Sequence, residues 1–206
     1  MQDGSEGRKQ PNVMLRILAV TSRVPLSGLV WLLGGVLLFI TGWCFVAGAE
    51  CAVDLAFADE VSYMSLGLNI ARDGLPSAAN SVFYSVWYLM LHACSGTDHV
   101  GLFYLNYLGL TVLIPVLLYL VLLRVGTRFL VAFISSVWVL IALANFAIQP
   151  KVTHFAAALV LFTLFLSSMP RSTQAGLAIA ALGALLVSYV RPEFFLLFLV
   201  LGLTCI

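Results

Sequence analysis

The charged side chains of this sequence are kept out of its long apolar runs. From Leu26 to Ala49 more than 20 residues pass without one, and further runs cover about 100–123, 129–148, 152–169 and 173–190. A ~30 Å hydrocarbon core is crossed by about 20 helical residues, with some tolerance, so each run is a candidate span. Charged residues make up 9% of the chain, against roughly 25% in soluble domains. The expected fold is all-α: a polytopic transmembrane helix bundle, with no soluble stretch long enough to build its own core. The first run exceeds the ~7–15 apolar residues of a cleaved signal and reads as a retained anchor. The last, Phe194 to Ile206, is too short to cross and reads as a partial sixth span of a longer parent chain.

Charge placement orients the bundle. With the N-terminus inside, Arg8, Lys9, Arg16, Arg23, Arg124, Arg128 and Arg171 lie on the cytoplasmic side and Arg72, Lys151 and Arg191 on the other, as the positive-inside rule requires. Residues 1–25 are then a cytoplasmic basic segment and 26–206 the membrane domain. The exterior loops fall at about 49–99, 149–153 and 190–193. Only the first is long, and long ordered loops tend to carry function.

That loop contains an adjacent acidic pair, Asp59 and Glu60, opening a helix over 59–73. Helical spacing places Val61, Met64, Leu68 and Ala71 on one face, with Tyr63, Leu66 and Ile70 opposite. Acids in a first helical turn have an ordinary structural use as partners of the helix dipole, and spacing alone does not separate that use from a catalytic one. Residues 81–94 form a second helix too short to span, with Phe83, Tyr84, Trp87 and Tyr88 as interfacial anchors or as rings that line a sugar or lipid groove.

The other exterior loops supply cations. Lys151 and His154 flank one span mouth, where a snorkelling lysine is the commoner reading and a phosphate site the sharper one. Arg191 precedes Pro192 and Glu193, a normal helix start with a guanidinium suited to phosphate beside it. Cys51 and Cys94 share the exterior side, and a disulfide between them is one option that spacing does not compel. Gly176, Ala180 and Ala184 recur at four-residue spacing and predict close helix packing. No ionisable residue sits near the middle of a span, which speaks against an ion-coupled transporter. Nucleotide-binding, zincin and nucleophile-elbow motifs are absent from the sequence, and nothing suggests a nucleic-acid partner.

A basic N-terminus, one span, a long exterior loop opening with Asp59-Glu60, then Tyr63, Ala71, Gly74 and Pro76, a short amphipathic helix over 82–94, and Arg191-Pro192-Glu193 at a later exterior end together form a pattern. It resembles a truncated member of the polyprenyl-phosphate-sugar-dependent glycosyltransferases of the GT-C fold, the protein mannosyltransferase and aminoarabinose transferase-like superfamily. The resemblance implies transfer of a sugar from a polyprenyl-phosphate donor to a glycan, lipid or protein acceptor on the exterior face of a bacterial plasma membrane. It implies Asp59 as general base and Glu60 as its orienter or, with Asp59, as holder of a divalent cation (Mg or Mn), the one cofactor it admits. It implies Arg191, Lys151, His154 and Arg72 around the donor phosphate, and Tyr63, Tyr84, Trp87 and Glu193 along the substrate or lipid groove. Lys151 and His154 stand where the family often carries a further acid. Against the enzyme stand a non-catalytic scaffold or assembly subunit, in which the acidic pair only caps a helix, and a transporter of lipid-linked substrates.

Overall fold

The computed structural model describes residues 24–48, 60–77, 81–146, 152–170 and 172–197, with backbone alone for 24–27 and 144–146. These residues form helices and no strands: α1 (Val24–Val46), α2 (Glu60–Leu68), α3 (Ile70–Asp73), α4 (Val82–Ser95), α5 (His99–Arg124), α6 (Phe129–Phe146), α7 (Val152–Ser167), α8 (Thr173–Ser188) and a 3₁₀ turn (Pro192–Phe195). The all-α expectation holds, and the apolar runs became helices close to their expected bounds. Two of them, α1 and α5, are long and apolar enough to cross a membrane. At 1.5 Å per residue, the 16-residue α7 and α8 are each about 24 Å long, short of a ~30 Å core.

The longest helix, α5, is the axis of the molecule, with α1, α6, α7, α4 and α2 all packed against it. α1 meets it along Gly34, Leu38, Gly42 and Val46, the buried positions of an otherwise exposed helix. Their four-residue spacing is one helical face, and its glycines are there for contact. A Cβ on Gly34 would collide with the Tyr119 ring, and one on Gly42 with Val112 and Leu140. Tyr119 Oη donates to the Val30 carbonyl at 3.2 Å across the same seam. Leu29, Leu32, Leu33, Val36, Phe39 and Ile40 face outward, so α1 is apolar on the side that no other described helix covers.

The predicted close packing of the small residues on α8 is present. Gly176 approaches the Ser167 carbonyl, Gly183 seats Thr163 of α7, and Ala184 is buried. Gly74, Gly96 and Gly126 take positive φ at the ends of α3, α4 and α5, where a Cβ would be strained.

The predicted helix over 59–73 divides. Asn69 interrupts it, its Nδ2 donating to the Ser65 carbonyl at 2.9 Å, a side-chain bond that competes with helix continuation. Of the two apolar faces expected, the first is only partly inward: Met64 is buried and Leu68 packs against the core. Glu60, Met64 and Gly67 point inward, while Val61 and Ala71 are exposed. Two local causes account for this rotation: Gly67 allows α2 to touch the Ser85 carbonyl and Tyr88 Cβ of α4, and Glu60 finds buried hydrogen-bond donors.

Candidate functional site

Glu60 begins α2 with only 7% of its surface exposed. Two phenols from successive turns of α4 meet one of its oxygens: Tyr84 Oη donates to Oε2 at 2.8 Å and Tyr88 Oη at 2.6 Å. Residues four apart share a helix face, which is why both reach the same atom. From α5, Asn106 Nδ2 donates to Tyr84 Oη at 2.6 Å and to Tyr88 Oη at 2.8 Å. Trp87 Nε1 donates to Asn106 Oδ1 at 2.8 Å.

The donors and acceptors fix one another in sequence. An indole N–H can only donate, so Asn106 turns Oδ1 to Trp87 and its amide hydrogens to the two phenols. Each phenolic oxygen, accepting from Asn106, directs its own hydrogen at Glu60. Oε2 therefore accepts twice, the role of a carboxylate. Burial raises both phenols well above their ordinary titration range, and the Glu60 charge acts in the same direction. They stay protonated and remain donors.

Aromatic rings wall the network. Tyr63 meets Tyr84 edge-on at 5.2 Å, and Phe155 of α7 lies 5.2 Å from Tyr84 and 5.6 Å from Trp87. On the far side of Trp87 and Phe155 a groove of about 490 Å³ runs between α4, α5, α7 and α8, lined by Phe83, Met90, Leu113, Leu117, Phe162 and Leu186 among others, all apolar. Small-molecule sites commonly measure about 300–1,000 Å³. Two further cavities of about 480 Å³, at Trp43 with Tyr104 and at Trp31 with Phe39, do not touch the network.

The Arg191 loop is tied to the same end. Ser81, at the start of α4, donates its hydroxyl to the Val190 carbonyl at 2.6 Å, and both residues are buried. Ser81 holds φ at 50°, the left-handed region that costs a non-glycine residue roughly 1–2 kcal/mol. Its carbonyl also accepts from the backbone N–H groups of Tyr84 and Ser85, so the start of α4 holds this conformation together with the bond to Val190. Ser81→Ala keeps the strain and orphans a buried carbonyl, a loss of about 1–3 kcal/mol. Ser81→Gly relieves the strain, so thermal unfolding in detergent should rank wild type above Ser81→Gly and Ser81→Ala last.

Tyr63, Tyr84, Trp87 and Glu60 are thus brought together, with Phe155 following His154 on the first turn of α7. Arg191 stands 3.7 Å from Glu193, and its Nε is buried without a hydrogen-bond partner among the described residues. Arg72 is not part of this group. It donates to Asp73 at 2.7 Å on an exposed turn, a bond that holds the Asp73 carboxyl below its usual range. Asp59, Lys151 and Cys51 lie outside the described residues. Asn106, the residue that joins the whole network, was not singled out from sequence. Its signal was an amide side chain inside the apolar run of α5.

No protein-family model, curated protein or solved structure matches this chain.

Proposed function

We propose that this chain is a polytopic membrane glycosyltransferase of GT-C type, taking its sugar from a polyprenyl-phosphate donor on the exterior face of a bacterial plasma membrane. The observation that carries this reading is the meeting of two unlike surfaces. The hydrogen-bond network that holds a buried carboxylate from the acidic pair and a wholly apolar groove meet at Trp87 and Phe155. A lipid-linked sugar needs such a pairing: a place for hydrocarbon next to polar chemistry. In this reading α6 and the shorter α7 and α8, these two by local thinning of the bilayer, cross with α1 and α5, and α2 to α4 lie at the membrane surface.

The roles divide within the acidic pair. Hydrogen bonds to a carboxylate favour its charged form and weaken it as a base. Glu60, with two phenolic donors on Oε2, is suited to anchoring the loop, and Asp59 is assigned the general base. The acceptor hydroxyl attacks the anomeric carbon and gives its proton to Asp59. The bond from that carbon to the phosphate oxygen breaks, and the polyprenyl phosphate leaves with the electron pair. Displacement from the opposite face inverts the centre. Arg191, with Lys151 and His154, is assigned the charge developing on the phosphate. Glu60 Oε2 already accepts two phenolic hydrogens, and no step is routed through a metal.

In proteoliposomes supplied with a panel of polyprenyl-phosphate sugars, Asp59→Asn should lower transfer about 100-fold or more, the usual scale of a lost general base. Wild-type rates in that variant would sink the assignment. The scaffold reading draws support from the burial of Glu60, which also fits a purely architectural residue. It predicts that no donor in the panel is turned over.

A further inference from the structure

We infer that the groove between α1 and α5 seats an anionic phospholipid, with its phosphate on the Arg124 guanidinium and one acyl chain along the two helices. The inference needs α1 and α5 to cross a membrane, as their length and apolar character allow, and nothing of sugar transfer. The groove measures about 480 Å³, and Trp31, Gly35 and Phe39 of α1 line it with Val116 and Leu120 of α5.

Arg124 stands at one end of this track. It is the last residue of α5, and its guanidinium lies over the Trp31 ring at 5.6 Å and over the Phe165 ring of α7 at 6.0 Å. Val116, Leu120 and Arg124 are four residues apart and share one face of α5. That face runs about 12 Å from Val116 to Arg124, most of the ~15 Å that one leaflet contributes to a hydrocarbon core. The charge therefore sits where the track leaves the core, and apolar surface covers the depth below it.

The guanidinium is available to an anion. Stacking on rings engages its faces and leaves the N–H groups in its plane for a phosphate. The side chain is exposed, and no carboxylate pairs with it among the described residues. The described acids, Glu60, Asp73, Asp98 and Glu193, belong to α2, α3, the start of α5 and the 3₁₀ turn. A Cβ on Gly35 meets nothing within 4 Å, so the middle of the track is open. A lipid fits better than a free anion because Trp31 belongs to both parts, lining the track and stacking under the charge. In a bilayer some acyl chain always lies against α1, and Arg124 selects the headgroup that comes with it. The chain itself asks only for apolar surface and for the space at Gly35.

Native mass spectrometry of the full chain in detergent tests this. Parallel titrations with dioleoyl phosphatidylglycerol and dioleoyl phosphatidylcholine read the dissociation constant of the first lipid of each kind. Wild type should prefer the phosphatidylglycerol by about fivefold or more, the scale of one arginine at a membrane surface. Arg124→Gln should bring the preference to near parity, and so should Gly35→Phe, which fills the track without touching the charge. Arg128→Gln, at an exposed arginine of the same turn, should keep it. No preference in wild type, or one that survives Arg124→Gln, overturns the seat. An equal loss from Arg128→Gln shows a diffuse surface potential and overturns it too. Competition by glycerol phosphate as strong as by phosphatidylglycerol shows a site for a soluble anion, which overturns the lipid. If Arg124→Gln does not yield a monodisperse protein, Gly35→Phe decides alone, since no side chain packs at that position, and an undiminished preference there counts against the seat.

Discussion

Glu60→Ala should cost this protein most of the cohesion of its α2–α4 end. Removing the carboxylate leaves the hydrogens of Tyr84 and Tyr88 without their acceptor in a buried site. Each unsatisfied buried group costs about 1–3 kcal/mol, so the pair amounts to roughly 2–6 kcal/mol before any contribution from lost packing. Rotation of the phenols offers little relief, because Asn106 already donates to both oxygens. Glu60→Gln should retain most of the stability, since an amide oxygen also accepts two hydrogen bonds. Denaturant titration of the detergent-solubilised protein, with limited proteolysis of the 60–95 region, measures both. A Glu60→Ala variant as resistant as wild type would mean that the network does not hold this end together.

Gly67→Leu should separate α2 from α4. Even the first carbon of any side chain at position 67 would collide with the Ser85 carbonyl and press on Tyr88 Cβ at 3.1 Å. The obstacle is main chain on a neighbouring helix, so rotamer changes cannot relieve it. Overpacking of this kind typically costs about 1–3 kcal/mol and more where backbone must move. Glu60, carried on the same short helix, would be withdrawn from its phenols. The expected result is a folded remainder with α2 cleaved rapidly by protease. Gly109→Ala is the matching control, since its nearest neighbour, Trp87, stands 4.0 Å away.

The helices were legible in the sequence because apolar runs and the charges between them record length and order. α4 and α5 follow the expected bounds within a residue or two. The inward face of α2 was not legible. Hydrophobic spacing grouped Val61, Met64, Leu68 and Ala71; Met64 is buried and Leu68 partly so, but Val61 and Ala71 are exposed and the other inward places went to Glu60 and Gly67. The signal that decides lies elsewhere in the chain: Tyr84 and Tyr88 are 24 and 28 positions from Glu60, and Asn106 is 22 and 18 from the phenols. Periodicity is a local property, whereas hydrogen-bond complementarity between helices is not. The glycines of α1 were passed over for the same reason. Gly34 and Gly42 gain meaning only from Tyr119, Val112 and Leu140. Of the candidate site, Glu60, Tyr63, Tyr84 and Trp87 were singled out from one loop, but the network that joins Glu60, Tyr84 and Trp87 depends on Asn106.

The one-way order of the hydrogen bonds from Trp87 to Glu60 also bears on how such a chain can change over generations. An indole that only gives, an amide that takes one hydrogen and gives two, two phenols that each take and give, and a carboxylate oxygen that takes two form one linked set. A change at any one of these positions leaves another unmatched, so descent should preserve or exchange them as a set. In divergent descendants of this sequence, an altered residue at 106 should be accompanied by altered residues at 84, 87 and 88, while the apolar outer face of α1 drifts freely.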